Sequence, residues 1–162
     1  MTADLLIKKL NLTRHPEGGF YRETYRSKQS IILDNGKTRN TATAIYYLLK
    51  DTDKSFFHKI GSDEIWLFHQ GGPVEISMIT KEGSLATKIL GNQIDLFEEP
   101  QLVIPADVWF AAQLKNKIGY APVSCIVAPG FDFDDFELGD KTELINAFPN
   151  IKTDIEKLSI YR

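Results

Sequence analysis

Cysteine is almost missing from this chain: Cys125 stands alone among 162 residues. It has no partner for an internal disulfide, which excludes a small secreted scaffold held by staples. Long apolar runs are missing too, and none approaches the roughly 20 residues that a membrane-spanning helix needs. There is no excess of one charge. The 19 Lys and Arg against 22 Asp and Glu leave a net charge of −3. That balance supplies no general field for nucleic acid or an anionic membrane surface, so neither is expected as a partner. The N-terminus places Asp4, Lys8 and Lys9 around a very short apolar stretch and lacks a secretory pattern, so a cytoplasmic location is expected. Repeats, low-complexity tracts and dividing linkers are absent, and the length suits a single domain over residues 1–162. No phosphate loop, dinucleotide fingerprint, His-Glu-x-x-His or Gly-x-Ser-x-Gly motif occurs, and no cofactor is expected.

What is present is the material of a packed core, with 43% hydrophobic and 25% charged residues. Residues 2–10 carry a capping Thr2 and a partial apolar stripe, which predicts a short helix. His15-Pro16-Glu17-Gly18-Gly19 breaks regular structure and reads as a structural corner. Strand patterns follow at 20–26, 43–49, 55–60, 64–69, 74–80, 85–90, 101–104, 109–114 and 120–128. Asp34-Asn35-Gly36-Lys37 marks a hairpin. Helical character returns only near 140–158. Short strands at close spacing, with no helices between them, predict an all-β sandwich or barrel. Strands 43–49 and 64–68 are apolar on both faces. Their outer face needs cover, from the terminal helices or from a second copy, and a homodimer is expected.

Chemistry concentrates in the segment from Phe57 to Gly71. His58 falls late in one strand, and Glu64 opens the next after Gly61-Ser62-Asp63. If these strands pair across that turn, His58, Ile60, Glu64, Trp66 and Phe68 share one face. An imidazole and a desolvated carboxylate in an apolar pocket are suited to general acid–base work. The plainer alternative is a core His58 bonded to Glu64 or to a carbonyl.

The frame His58-x-Ile60, three residues, Glu64, six residues, Gly71 resembles the first motif of the cupin superfamily. The segment Pro105-Ala106-Asp107-Val108-Trp109-Phe110 echoes its second. Four longer blocks narrow the likeness: residues 15–19, 43–49 (Thr-Ala-Ile-Tyr-Tyr-Leu-Leu), 62–66 (Ser-Asp-Glu-Ile-Trp) and 128–138. On these the chain resembles the cupin-5 family, also called DUF985. The resemblance implies an antiparallel jelly-roll barrel with short N- and C-terminal helices, similar in fold to sugar-nucleotide epimerases and usually dimeric. Metal-binding cupins use three His and one Glu. Of those positions only His58 and Glu64 survive here, with Ile60 and Phe110 at two of the others, so no metal is expected.

The resulting expectation is a small-molecule-binding cupin, acting as a metal-independent isomerase or epimerase on a sugar-like or carbonyl compound. His58 is the base, Glu64 orients it or shares its proton, and whichever of Tyr46 and Tyr47 points inward is the acid, with Tyr46 taken as the candidate. Trp109, Phe110, Trp66, Glu23 and His69 are candidate ligand contacts, with Trp109 facing His58 and Glu64 across the barrel mouth. A binder or sensor without catalysis is the main alternative, and a metal-dependent oxygenase a weaker one. The acidic run 132–143 lacks the Gly that an EF-hand loop requires, so calcium is rejected.

Overall fold

Strand Gln101–Ile104 alternates exposed and buried residues, the period-two signature of a sheet with one face in a core. In the computed structural model, which describes residues 1–160, such strands build two facing antiparallel sheets. The first runs in the order Thr13–Arg14, Phe20–Arg26, Thr43–Lys50, Tyr120–Ala128, Asp63–Phe68, Gln101–Ile104. The second runs Phe136–Leu138, Lys54–Ile60, Phe110–Leu114, Val74–Ile79, Leu85–Leu90. Apart from the pairs Thr13–Arg14/Phe20–Arg26 and Val74–Ile79/Leu85–Leu90, neighbours in each sheet are not consecutive in the sequence, as in a jelly roll. The expected all-β fold holds, but as a two-sheet sandwich in which the sheets stay separate.

Between the sheets lies one core, with Tyr47, Trp66, Phe110 and Leu114 at its centre. Two smaller clusters lie outside. Helix Ala3–Lys9, capped by the Thr2 hydroxyl, packs Leu6 with Leu12, Leu48 and Tyr46 on the outer face of the six-stranded sheet. Helices Lys141–Ala147 and Lys152–Leu158 cover the five-stranded sheet. The Asp140 carboxylate caps the first by accepting from the amides of Thr142 and Glu143. Leu144, Ile151, Ile155 and Leu158 recur at helical spacing and pack on Phe57, Ile79 and Ala111. Of the two doubly apolar strands, the N-terminal helix thus covers Thr43–Lys50, while the C-terminal helices cover the other sheet. Ile65, Leu67 and Ile126, half-buried, and the exposed Val103 lie on the outer face of the six-stranded sheet, away from that helix cluster.

One expectation about register is corrected. His58 and Glu64 do not sit on a hairpin. His58 pairs with Phe110 and Leu138 in the five-stranded sheet, while Glu64 pairs with Ile104 and Val127 in the six-stranded one. The chain crosses from sheet to sheet at Gly61 and Ser62. Both side chains still face inward, because each lies on the core side of its own sheet.

Hairpin Ser30–Ile32/Thr38–Asn40 turns at Gly36, whose φ of 81° favours glycine. Its Arg39 holds Asp135 with two hydrogen bonds of 2.6 and 3.0 Å, and Lys37 adds one of 2.8 Å. This pins the loop 131–135 beside the open end of the sandwich.

Candidate functional site

A cavity of about 410 Å³ opens between the sheets at that end. Its inner wall carries His15, Glu17, Tyr47, His58, Glu64 and Cys125, and its mouth carries Tyr21, Glu23, Arg26, Phe131 and Phe133.

A β-bulge shapes the inner wall. Phe110 pairs with His58 and Ala112 with Ser55, so strand Lys54–Ile60 spends one extra residue over that interval. Strict alternation would turn Ser55 and His58 to opposite faces. The bulge lets both reach Glu17. The Ser55 hydroxyl donates to Glu17 Oε1 at 2.9 Å, and His58 Nε2 lies 3.1 Å from Glu17 Oε2. Glu17 itself arrives on the corner 15–19. Gly18 there has φ 108°, and a side chain at that position would collide with the Lys54 carbonyl. The corner is therefore pressed against the strand that bears His58.

Hydrogen bonding fixes the tautomers. His58 Nδ1 donates to the Phe56 carbonyl at 2.7 Å. A neutral His58 consequently turns a lone pair, on Nε2, toward the Glu17 carboxyl. Two acceptors do not bond without a proton between them, so Glu17 and His58 share one. Burial lowers the pKa of His58 to about 4, opposed by the bond to Phe56. Burial raises that of Glu17, opposed by His15 and by the hydroxyls of Ser55 and Tyr47. His15 accepts from the Glu17 amide at Nδ1, 3.3 Å away, and is lowered chiefly by burial, with Glu17 acting in the other direction.

Glu64 has a different setting. It is 7% exposed, and among the described residues it forms no ion pair. Burial, with the nearby Glu17, raises its pKa to about 8, and the Cys125 thiol and Trp66 indole offset this only in part. Near neutrality the cavity thus holds a protonated carboxyl opposite a neutral imidazole, one a proton donor and the other engaged in a shared-proton pair.

The sequence-level site is partly redistributed. His58 and Glu64 both line the cavity, but the carboxylate beside His58 is that of Glu17, not of Glu64. Tyr46 faces outward beneath the N-terminal helix, and Tyr47 is the inward tyrosine, its hydroxyl donating to the Gly18 carbonyl at 2.7 Å. Trp109 lies on the outer face with Phe57 and Leu144, under the Lys59 ammonium, because Phe110 beside it points inward. Phe110 and Trp66 are core, with the Phe110 ring centroid 4.1 Å from that of His58. Glu23 reaches the mouth, paired with Arg26 at 2.7 Å. His69 is on the outer side, its Nε2 2.7 Å from Ser124 Oγ. The corner expected to be purely structural carries two functional groups, His15 and Glu17. Charged side chains in a Gly-rich break were the available signal.

The jelly-roll sandwich with an open-ended cavity defines a cupin. A model of the cupin superfamily family DUF985 matches residues 4–139, and the chain belongs to that family. It is 32% identical over 144 residues to the uncharacterized protein YML079W of Saccharomyces cerevisiae, covering 80% of this chain and 71% of that one. Among solved structures it superposes on a hypothetical protein from Leishmania major with a TM-score of 0.94 and 31% identity, over 100% of both chains. Protein SO0799 from Shewanella oneidensis matches with a TM-score of 0.92 and 40% identity, over 100% of this chain and 99% of that one. Oxalate decarboxylase of Bacillus subtilis shares the fold, with a TM-score of 0.58 and 18% identity, over 92% of this chain and 37% of that enzyme.

Mn(II) centres are described for that decarboxylase, and the residues here do not fit one. Ile60 and Phe110 offer no lone pair, and both nitrogens of His58 are engaged. Among the described residues no three His, Cys, Asp or Glu side chains gather in a way that could hold a metal ion.

Proposed function

We propose that the cavity binds a small polar carbonyl or sugar-like compound and isomerises or epimerises it by proton transfer. The observation that carries this reading is the opposed protonation of two buried groups that line one cavity from facing sheets, Glu64 raised to about 8 and His58 lowered to about 4. Glu64 is the acid and donates its proton to the substrate carbonyl oxygen. Glu17 is the base: as it takes the proton from the neighbouring carbon, the proton it shares passes to His58 Nε2. The imidazolium so formed offsets the charge left on Glu64, and the substrate passes through a neutral enediol. Reversal of both transfers at the adjacent carbon completes an isomerisation. Acid–base help of this kind is worth about 10²–10⁴ in rate.

The test is proton exchange in D₂O with a panel of unphosphorylated aldoses, ketoses and amino sugars, followed by ¹H NMR. The expected result is loss of an α-proton signal from at least one compound, slowed about 100-fold or more in Glu64→Gln. Binding without exchange would instead favour a ligand-binding protein, a reading supported by the fact that both His58 nitrogens already have partners. We further propose that two copies associate through Ile65, Leu67, Val103 and Ile126, the apolar residues that the helix Ala3–Lys9 leaves uncovered.

A further inference from the structure

The polar and aromatic side chains around the cavity say what kind of molecule it accepts. Four carboxyl side chains line it: Glu17, Glu23, Glu64 and Asp132. Two arginines also belong to the lining, and neither is available to an anion at the inner wall. Arg26 uses all three guanidinium nitrogens within the protein. Two hold Glu23, at 3.0 and 2.7 Å, and the third donates to Asn40 and the Phe131 carbonyl. Arg22 lies over the ring of Tyr46, 5.6 Å from its centroid, and Tyr46 is on the outer face of its strand. The Arg22 Nε is buried without an acceptor, but that position is away from the inner wall.

Aromatic rings complete the mouth. His15 meets Tyr21 edge-on at 4.5 Å and stacks with Phe133 at 6.2 Å, and Phe131 meets Phe133 edge-on at 5.0 Å. Ring faces attract organic cations, a carboxyl without a cationic partner is favoured to ionise when one arrives, and an anion meets no free cation at the inner wall. Glu64, more than nine-tenths buried, turns a carboxyl into this space and has no cationic partner among the described residues.

We propose that the ligand of this cavity is a small organic cation, an amine or ammonium compound, seated between the Glu64 carboxylate and the aromatic mouth formed by Tyr21, Phe131 and Phe133. This rests only on the cavity being the ligand site: a cation paired with Glu64 holds that carboxyl ionised, so this ligand class stands apart from the proton-donor role of Glu64. The cation supplies the charge that Glu64 lacks, and the mouth excludes phosphorylated and carboxylated analogues.

The experiment is calorimetric titration of the full chain with glucosamine, choline, glucose and glucuronate at about pH 7, where the sugar amine is protonated and a cation that pairs with Glu64 displaces its proton into the buffer. Glucosamine and choline are expected to bind about thirtyfold more tightly than glucose, the ratio matching the ~2 kcal/mol of a desolvated cation–π contact. Glucuronate is expected not to bind. In Glu64→Gln the preference for glucosamine over glucose should shrink to about threefold or less. Phe133→Leu, at a half-exposed position of the mouth, should weaken choline while leaving the fold intact by circular dichroism. Glucuronate binding as tightly as glucosamine would overturn the proposal. So would equal affinity for glucose and both cations, absence of binding by either cation, or preferences unchanged in both variants. α-Proton exchange is read separately on the same samples. A cation preference without exchange leaves this inference standing and removes only the proton-transfer reading.

Discussion

Replacing Glu64 by Gln should make the protein more resistant to alkali, and the size of the effect follows from two pKa values. Glu64 titrates at about 8 in the fold against 4.5 when exposed. Its folded pKa is raised, so the unfolded chain loses a proton that the fold retains. That contribution is fully present below pH 4.5 and is lost as pH rises toward about 8. His58 titrates at about 4 against 6.5, a depressed value. The unfolded chain gains a proton that the folded His58 refuses, so stability falls as pH drops from 6.5 toward about 4. Between 4.5 and 6.5 the two slopes oppose each other and stability is nearly level. Above 6.5 the Glu64 slope alone remains, about 1.4 kcal/mol per pH unit, so about 2 kcal/mol disappears by pH 8. Glu17, also raised, adds to the loss with the same sign. Gln carries no charge in either state. Urea denaturation at pH 5, 6.5 and 8 should show the variant gaining on the wild type by about 1.4 kcal/mol per unit across this range. Parallel stability profiles for the two proteins would refute the reasoning, because they would mean that Glu64 ionises in the fold as it does in water.

The shared proton of Glu17 and His58 makes Glu17→Gln a mild change: the amide donates to His58 Nε2 and accepts from Ser55. It should cost less than about 1 kcal/mol by thermal melting, whereas Glu17→Ala strands both partners and should cost about 2–4 kcal/mol. Tyr47→Phe leaves the Gly18 carbonyl without its donor and should cost about 1–3 kcal/mol, while Tyr46→Phe, at the outer cluster, should be near neutral in the same assay. Light scattering should report a dimer, and Leu67→Glu should yield monomers with unchanged circular dichroism. A wild-type monomer at micromolar concentration would count against the outer-face interface.

The fold was legible because its signals are local. Period-two alternation, a turn at Gly36 and capping residues at Thr2 and Asp140 locate the strands, the hairpin and the terminal helices. His58 and Glu64 were legible through their spacing. Their relation was not, because a Gly-Ser step is equally able to close a hairpin and to carry the chain to the opposite sheet. Tyr46 and Tyr47 were indistinguishable for another reason. Their strand is covered by a helix outside and the core inside, so both faces are apolar and parity leaves no trace in composition. Trp109 and Phe110 present the same ambiguity. Glu17 was hidden by distance: its partners Ser55 and His58 lie some forty residues downstream, and only the bulge in their strand brings both to it.

The central claim is the opposed protonation of Glu64 and His58, and site-resolved NMR titration tests it directly. With ¹³C-labelled glutamate and ¹⁵N-labelled histidine, the Glu64 carboxyl should titrate near 8. His58 should remain a neutral ring protonated at Nδ1 down to about pH 5, above its value of about 4. A Glu64 carboxyl titrating near 4.5 together with a His58 imidazole titrating near 6.5 would contradict the account.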